Sequence, residues 1–222
     1  MTTENEKNVL SVIDNAYEFL WPMPFQVLQI LTGLEFKIGK FPSDRMSEEE
    51  PPLFDSYQSG EIIPIDGVLG IYYPRSREII IFQKGINWAS KLLNEKPEHL
   101  EIVVKYHEWS HAIIHIGRDE NNEICSLRAY NSIENRLHET LAQLLTYHGL
   151  KHRINNAQRE IARQALQKVF EVFKVLSPRQ PPEYRDWNKF ENVPLERLRK
   201  FMLALRKHDI RGKPDVFESL IL

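Results

Sequence analysis

The residues in this chain best placed to do chemistry are two histidines four positions apart, with a glutamate after the first: His107-Glu108-Trp109-Ser110-His111. On a helix such positions lie one above the other, about 6 Å apart along the axis and about 40° in rotation, so both imidazoles can converge on one ion. Glu108 lies about 100° round from His107, beside that face. There it can handle a proton of a metal-activated water without being a ligand itself. The chemistry served by this H-E-x-x-H arrangement is metal-assisted hydrolysis. The competing reading is a pair of core histidines satisfied by hydrogen bonds.

The motif needs a rigid element beneath it, and the flanking residues supply one. Pro97 and Glu98 suit a helix start and Gly117 suits its stop. Between them Leu100, Val103, Val104, Ala112, Ile113, Ile114 and Ile116 make a largely buried helix. Two histidines and a glutamate inside such a helix are costly to bury without a partner.

Catalytic zinc usually takes three protein ligands and leaves one position for water. His115 continues the four-residue row but lies about 12 Å along the axis from His107, too far to share its ion. The spacing H-E-x-x-H-x-x-G-x-x-H also fails, because Ile114 stands where glycine is needed and Gly117 where histidine is needed. The next helix is the better source. Glu139 lies two residues from Leu137 and Leu141 and shares a turn with Ala142, whose small side chain permits close approach. Glu134 and His138 are rivals for the third position, with Asp119 in the connecting loop a weaker one.

Elsewhere the pattern predicts a helix over 4–20, ended by Trp21-Pro22-Met23-Pro24. A short apolar run of either type covers 25–31, a strand covers 34–38, and 42–60 reads as a loop. Residues 61–83 read as β, with 68–73 and 78–82 forming a hairpin whose second arm, Ile79-Ile80-Ile81-Phe82, is covered on both faces. A short helix follows over 86–95. The helix bearing Glu139 takes Asn131 and Glu134 as a capping box and Gly149 as its stop. A third helix spans 154–176, a linker bearing prolines and aromatics 178–193, and a last helix 194–207. The expected fold is α+β, a small mostly antiparallel sheet against the H-E-x-x-H helix with further helices after it. No long linker interrupts it, so the expectation is one domain over 1–222, with its core at about 61–150 and a helical extension at about 151–222.

Composition narrows the function. With 222 residues and a net charge of -2, the chain has no general attraction for nucleic acid or membrane. One cysteine, Cys125, allows no intrachain disulfide. The polar, acidic N-terminus carries no basic-then-apolar signal pattern, and no apolar run approaches a membrane span. A cytoplasmic location is the expectation. Oligomeric state is not legible.

The order H-E-x-x-H on one helix, then a glutamate on the next, resembles the gluzincin type of zinc metallopeptidase. More narrowly, Tyr106-His107-Glu108-Trp109-Ser110-His111-Ala112-Ile113-Ile114-His115, followed by Glu139-Thr140-Leu141-Ala142, resembles the compact ImmA/IrrE-like metallopeptidases over about residues 61–150. The resemblance implies a zincin-like fold in which His107, His111 and Glu139 bind one zinc ion and Glu108 is the general base. Zinc lowers the pKa of its bound water to about 7. Glu108 would take the proton as that water attacks a peptide carbonyl and pass it to the leaving amine. Candidates for stabilising the oxyanion are Tyr147, His148, Tyr130 and His138. The implied partner is a peptide or protein substrate. Two alternatives stand beside the peptidase: a non-catalytic metal-binding or regulatory protein with the same fold, and a helical interaction module whose histidine pair is incidental.

Overall fold

The run Glu78–Phe82 forms the middle strand of a three-stranded sheet, which is why it is apolar after its first residue: Ile79, Ile80, Ile81 and Phe82 are all buried. The computed structural model describes residues 24–37, 41–207 and 212–221. The expected helix over 4–20 lies outside them. The strands are β1 (Ser43–Ser47), β2 (Gly70–Tyr73) and β3 (Glu78–Phe82), in the order β1-β3-β2. β2 and β3 form the expected antiparallel hairpin, with Gly70 opposite Ile81 and Tyr73 opposite Glu78. β1 runs parallel to β3, with Ser43 opposite Glu78 and Ser47 opposite Phe82. The sheet is therefore mixed, not mostly antiparallel. β1 falls inside the segment expected to be loop, because four of its five residues are exposed and it pairs through its backbone. Of the strand expected over 34–38, the described residues 34–37 show a single bridge, between Glu35 and Arg118.

Around the sheet stand helices α1 (Pro24–Thr32), α2 (Gln83–Leu93), α3 (Pro97–Ile116), α4 (Leu127–Asn131), α5 (Asn135–Asn156) and α6 (Glu160–Leu176). They are followed by α7 (Pro182–Arg185), α8 (Leu195–Arg206) and α9 (Pro214–Ile221). The H-E-x-x-H helix, α3, starts at Pro97 and ends before Gly117, as its residues suggested. It is buried on nearly every side, because α1, α2, α5, α6, β2 and β3 all pack on it. Arg206 on α8 closes its C-terminal end by donating to the carbonyls of Gly117 and Glu123.

Two expectations about α5 are corrected. Its N-cap is Glu134, whose side chain makes no capping bond, while Asn131 ends the separate short helix α4, capped by Ser126. Nor does Gly149 stop α5, which continues to Asn156. A β-carbon at Gly149 would lie 2.8 Å from Cε1 of Tyr106 on α3. The glycine admits the Tyr106 ring where the two long helices pack. The expected linker at 178–193 is a chain of short helical turns whose Tyr184, Trp187 and Phe190 are buried. One apolar cluster runs from Val27 to Ile221, taking in residues of the sheet and of α1 to α9.

Candidate metal centre

The close packing of α3 on α5 brings three donor atoms together. Nε2 of His107 lies 3.0 Å from Nε2 of His111 and 3.1 Å from Oε2 of Glu139, and the His111 to Glu139 distance is 3.7 Å. Zinc bonds of about 2.0–2.1 Å in a tetrahedral arrangement give ligand-to-ligand edges of about 3.3 Å. The three measured edges bracket that length. Protons alone satisfy the arrangement poorly. Nε2 of His107 has at most one hydrogen and faces both a carboxylate oxygen and another ring nitrogen. One cation at the centre would engage all three lone pairs, so the donor set fits a divalent metal.

The four motif residues are almost sealed: His107 and Glu108 are 0% exposed, Glu139 1% and His111 4%. Both carboxylate oxygens of Glu108 are buried and make no close hydrogen bond, although the Asp66 carboxyl and the Tyr72 backbone face them. Gly70 on β2 makes room for them, since a β-carbon there would lie 3.0 Å from Oε1 of Glu108 and 2.8 Å from Val104. The edge strand is thus laid directly over the general-base candidate.

A fourth donor joins the set. Asp66, in the loop before β2, brings a carboxylate oxygen into a group with His107, His111 and Glu139 whose ligand atoms all lie within 4.8 Å of one another. Nothing in the sequence marked it, because Asp66-Gly67 reads as a turn. Asp66 is partly exposed, the only one of the four that is not buried.

Three carboxyls and two imidazoles in so dry a space perturb one another. Burial raises the Glu108 carboxyl well above the usual glutamate range, and the charges of Asp66 and Glu139 add to this. Burial and the charge of Glu139 likewise raise Asp66. For Glu139, burial is outweighed by the charge of His111 and hydrogen bonds with both histidines, which hold its carboxyl below the usual range. Burial lowers His107 to about 4. It also opposes protonation of His111, but the charge of Glu139 prevails and raises that ring. A cation placed here would favour ionised Asp66 and Glu108.

The remaining candidates separate cleanly. His138, next to Glu139, turns its Nε2 to the carbonyl of Tyr130, 2.9 Å away, and its ring stands 6.0 Å from that of His111. Glu134 is exposed and pairs with Lys213 at 3.6 Å, and Asp119 accepts from the backbone of Asn121 and Glu123 in its own loop. His115 bonds the Tyr72 hydroxyl through Nδ1 at 2.9 Å. Tyr130 packs its ring on His138 and His115. Tyr147 instead packs on Trp187 and bonds Lys151, and His148 sits beside it. An aromatic residue the sequence did not single out, Tyr184 on α7, stacks on His107 and receives the backbone N–H of Asp66 on its hydroxyl at 3.3 Å.

No protein-family model, curated protein or solved structure matches the chain. No helix among the described residues is long and apolar enough to cross a membrane.

Proposed function

We propose that this chain is a zinc-dependent metallopeptidase of the gluzincin type, with His107, His111 and Glu139 holding one zinc ion and Glu108 acting as general base. The observation that carries the reading is the convergence of two Nε2 atoms and one carboxylate oxygen at tetrahedral-edge distances, with a second, buried carboxylate one residue along from His107 on the same helix. Zinc bound there would supply a Lewis acid and an acidified water. His107 and His111 approach from one helix and Glu139 from its neighbour, so their spacing is set by helix packing rather than by loop conformation. Glu108, buried beside the three donors, is placed to take a proton during attack on a peptide carbonyl and to return it to the departing amine. β2 is an edge strand of the sheet and packs on α3, which supports an extended peptide as substrate, added as a further strand.

Asp66 favours a second reading, a metal-binding or regulatory protein without turnover, since four protein ligands make a closed site. One experiment separates the two. Zinc content and cleavage of a mixed peptide library are measured for the full chain and for Glu108→Gln. A peptidase retains about one zinc per chain in both forms and loses cleavage only in the variant. Equal cleavage by both forms rejects Glu108 as the base, and a zinc-loaded parent that cleaves nothing favours the second reading.

A further inference from the structure

We infer that Asp66, in the turn before β2, is a latch: its carboxylate is a fourth, displaceable ligand that keeps the metal centre closed until it turns aside. The inference rests on the metal reading above.

Asp66 differs from the other three donors in what carries it. His107, His111 and Glu139 sit within helices of 20 and 22 residues that pack on each other. Asp66 sits outside every named helix and strand, in a turn where Gly67 donates to the carbonyl of Gly70 and Val68, Leu69 and Gly70 donate to that of Ile65, with Ile65, Val68 and Leu69 buried as its anchors. Turning its carboxylate aside therefore requires no change in the helix pair.

The loop is tied down from the far end of the chain. Ile63 donates its backbone N–H to the carbonyl of Arg179 at 2.8 Å, Arg179 donates from its guanidinium to the carbonyl of Gly60 at 3.4 Å, and Asp66 donates its N–H to the Tyr184 hydroxyl at 3.3 Å. All three bonds reach the segment from Ser177 to Arg185, which also stacks Tyr184 on His107. The segment that walls the metal site thus also sets the position of the loop.

Closure gives the latch a consequence. A hydrolytic zinc centre keeps one position for water and substrate. The α3 and α5 donors are 0–4% exposed, and Asp66 is the member of the set that is not fully buried. The carboxylate of Asp66 competes for the corner that a scissile carbonyl needs, and a peptide docking on β2 must displace it.

The test uses the full chain loaded with cobalt(II), whose visible absorption reports coordination, and acetohydroxamate as a small chelating probe. The parent should hold one cobalt per chain and take up the probe weakly. Asp66→Ala should shift the cobalt spectrum and bind the probe about 10-fold or more tightly, because the competent fraction is no longer limited by the latch. Tyr184→Phe, which keeps the ring and removes the tether, should move both readouts in the same direction by a smaller amount. Identical spectra and probe affinities in parent and Asp66→Ala overturn the latch and leave the metal site standing. If Asp66→Ala does not fold, the parent decides: a spectrum that shifts at micromolar probe overturns the latch, and one that stays fixed until the probe is millimolar supports it. Absence of stoichiometric cobalt in every form overturns the metal reading itself.

Discussion

The ring of Tyr184 lies over the imidazole of His107, with centroids 5.7 Å apart and planes 25° from parallel. A residue 77 positions downstream (184 minus 107) thus packs against a metal-ligand candidate. Groups that orient a ligand commonly matter 10–100-fold in metal affinity. Tyr184→Ala should weaken zinc retention by about 10-fold or more and, as a buried aromatic deletion, destabilise the fold by about 3 kcal/mol. Competition with a chromophoric chelator and urea unfolding measure the two effects. Tyr184→Phe should restore most of both.

Zinc should stabilise the folded chain. A ligand that binds only the native state at 100-fold above its dissociation constant contributes about 2.7 kcal/mol. The thermal midpoint should rise with added zinc and fall with a chelator. Glu139→Ala should abolish the rise, whereas Glu134→Ala, at an exposed helix cap, should leave it intact.

Gly149→Ala tests the contact between α3 and α5. Within an ordinary helix this change stabilises by up to about 1 kcal/mol. Here the new methyl would meet the Tyr106 ring at 2.8 Å. The expected sign is reversed, a loss of about 1–3 kcal/mol, read by thermal or urea unfolding. A gain in stability would show that the helices are not pressed together at this point.

Metal-free protein should lose stability in mild acid. His115 is lowered to about 4 by burial and by Arg77 and Arg206, and His148 to about 4 by burial and Lys151, against an ordinary value of 6.5 for each. The unfolded chain binds their protons first, so their neutral forms favour the fold above pH 6.5, and that contribution is lost as pH falls from 6.5 toward 4. Each contributes a slope of at most about 1.4 kcal/mol per pH unit. His148→Asn should flatten the curve of unfolding free energy against pH in that window.

What could be read in the sequence follows physical lines. α3 was legible because its apolar residues, Pro97 and Gly117 all point to one helix, and β3 because a strand covered on both faces must be apolar throughout. β1 was not legible, because Ser-Asp-Arg-Met-Ser pairs through peptide groups that every sequence possesses. Gly149 misled, because glycine ends helices and also admits a neighbouring ring, and the local sequence does not say which. Glu139 was reachable through its distance from Ala142, while its rival His138 is held by a carbonyl on another element. Asp66 and Tyr184 were out of reach: no periodicity links a turn aspartate or a tyrosine among prolines to a helix that only tertiary packing brings near.

The mixed sheet also bears on how the chain acquires its shape. β2 and β3 are joined by a four-residue turn and can pair as soon as they exist. β1 must find a parallel partner whose first residue lies 35 positions later (78 minus 43), and closing that larger ring is slower. In pulse-labelling during refolding, amides of 70–82 should therefore gain protection before those of 43–47, with the early hairpin serving as the template on which the outer strand later docks.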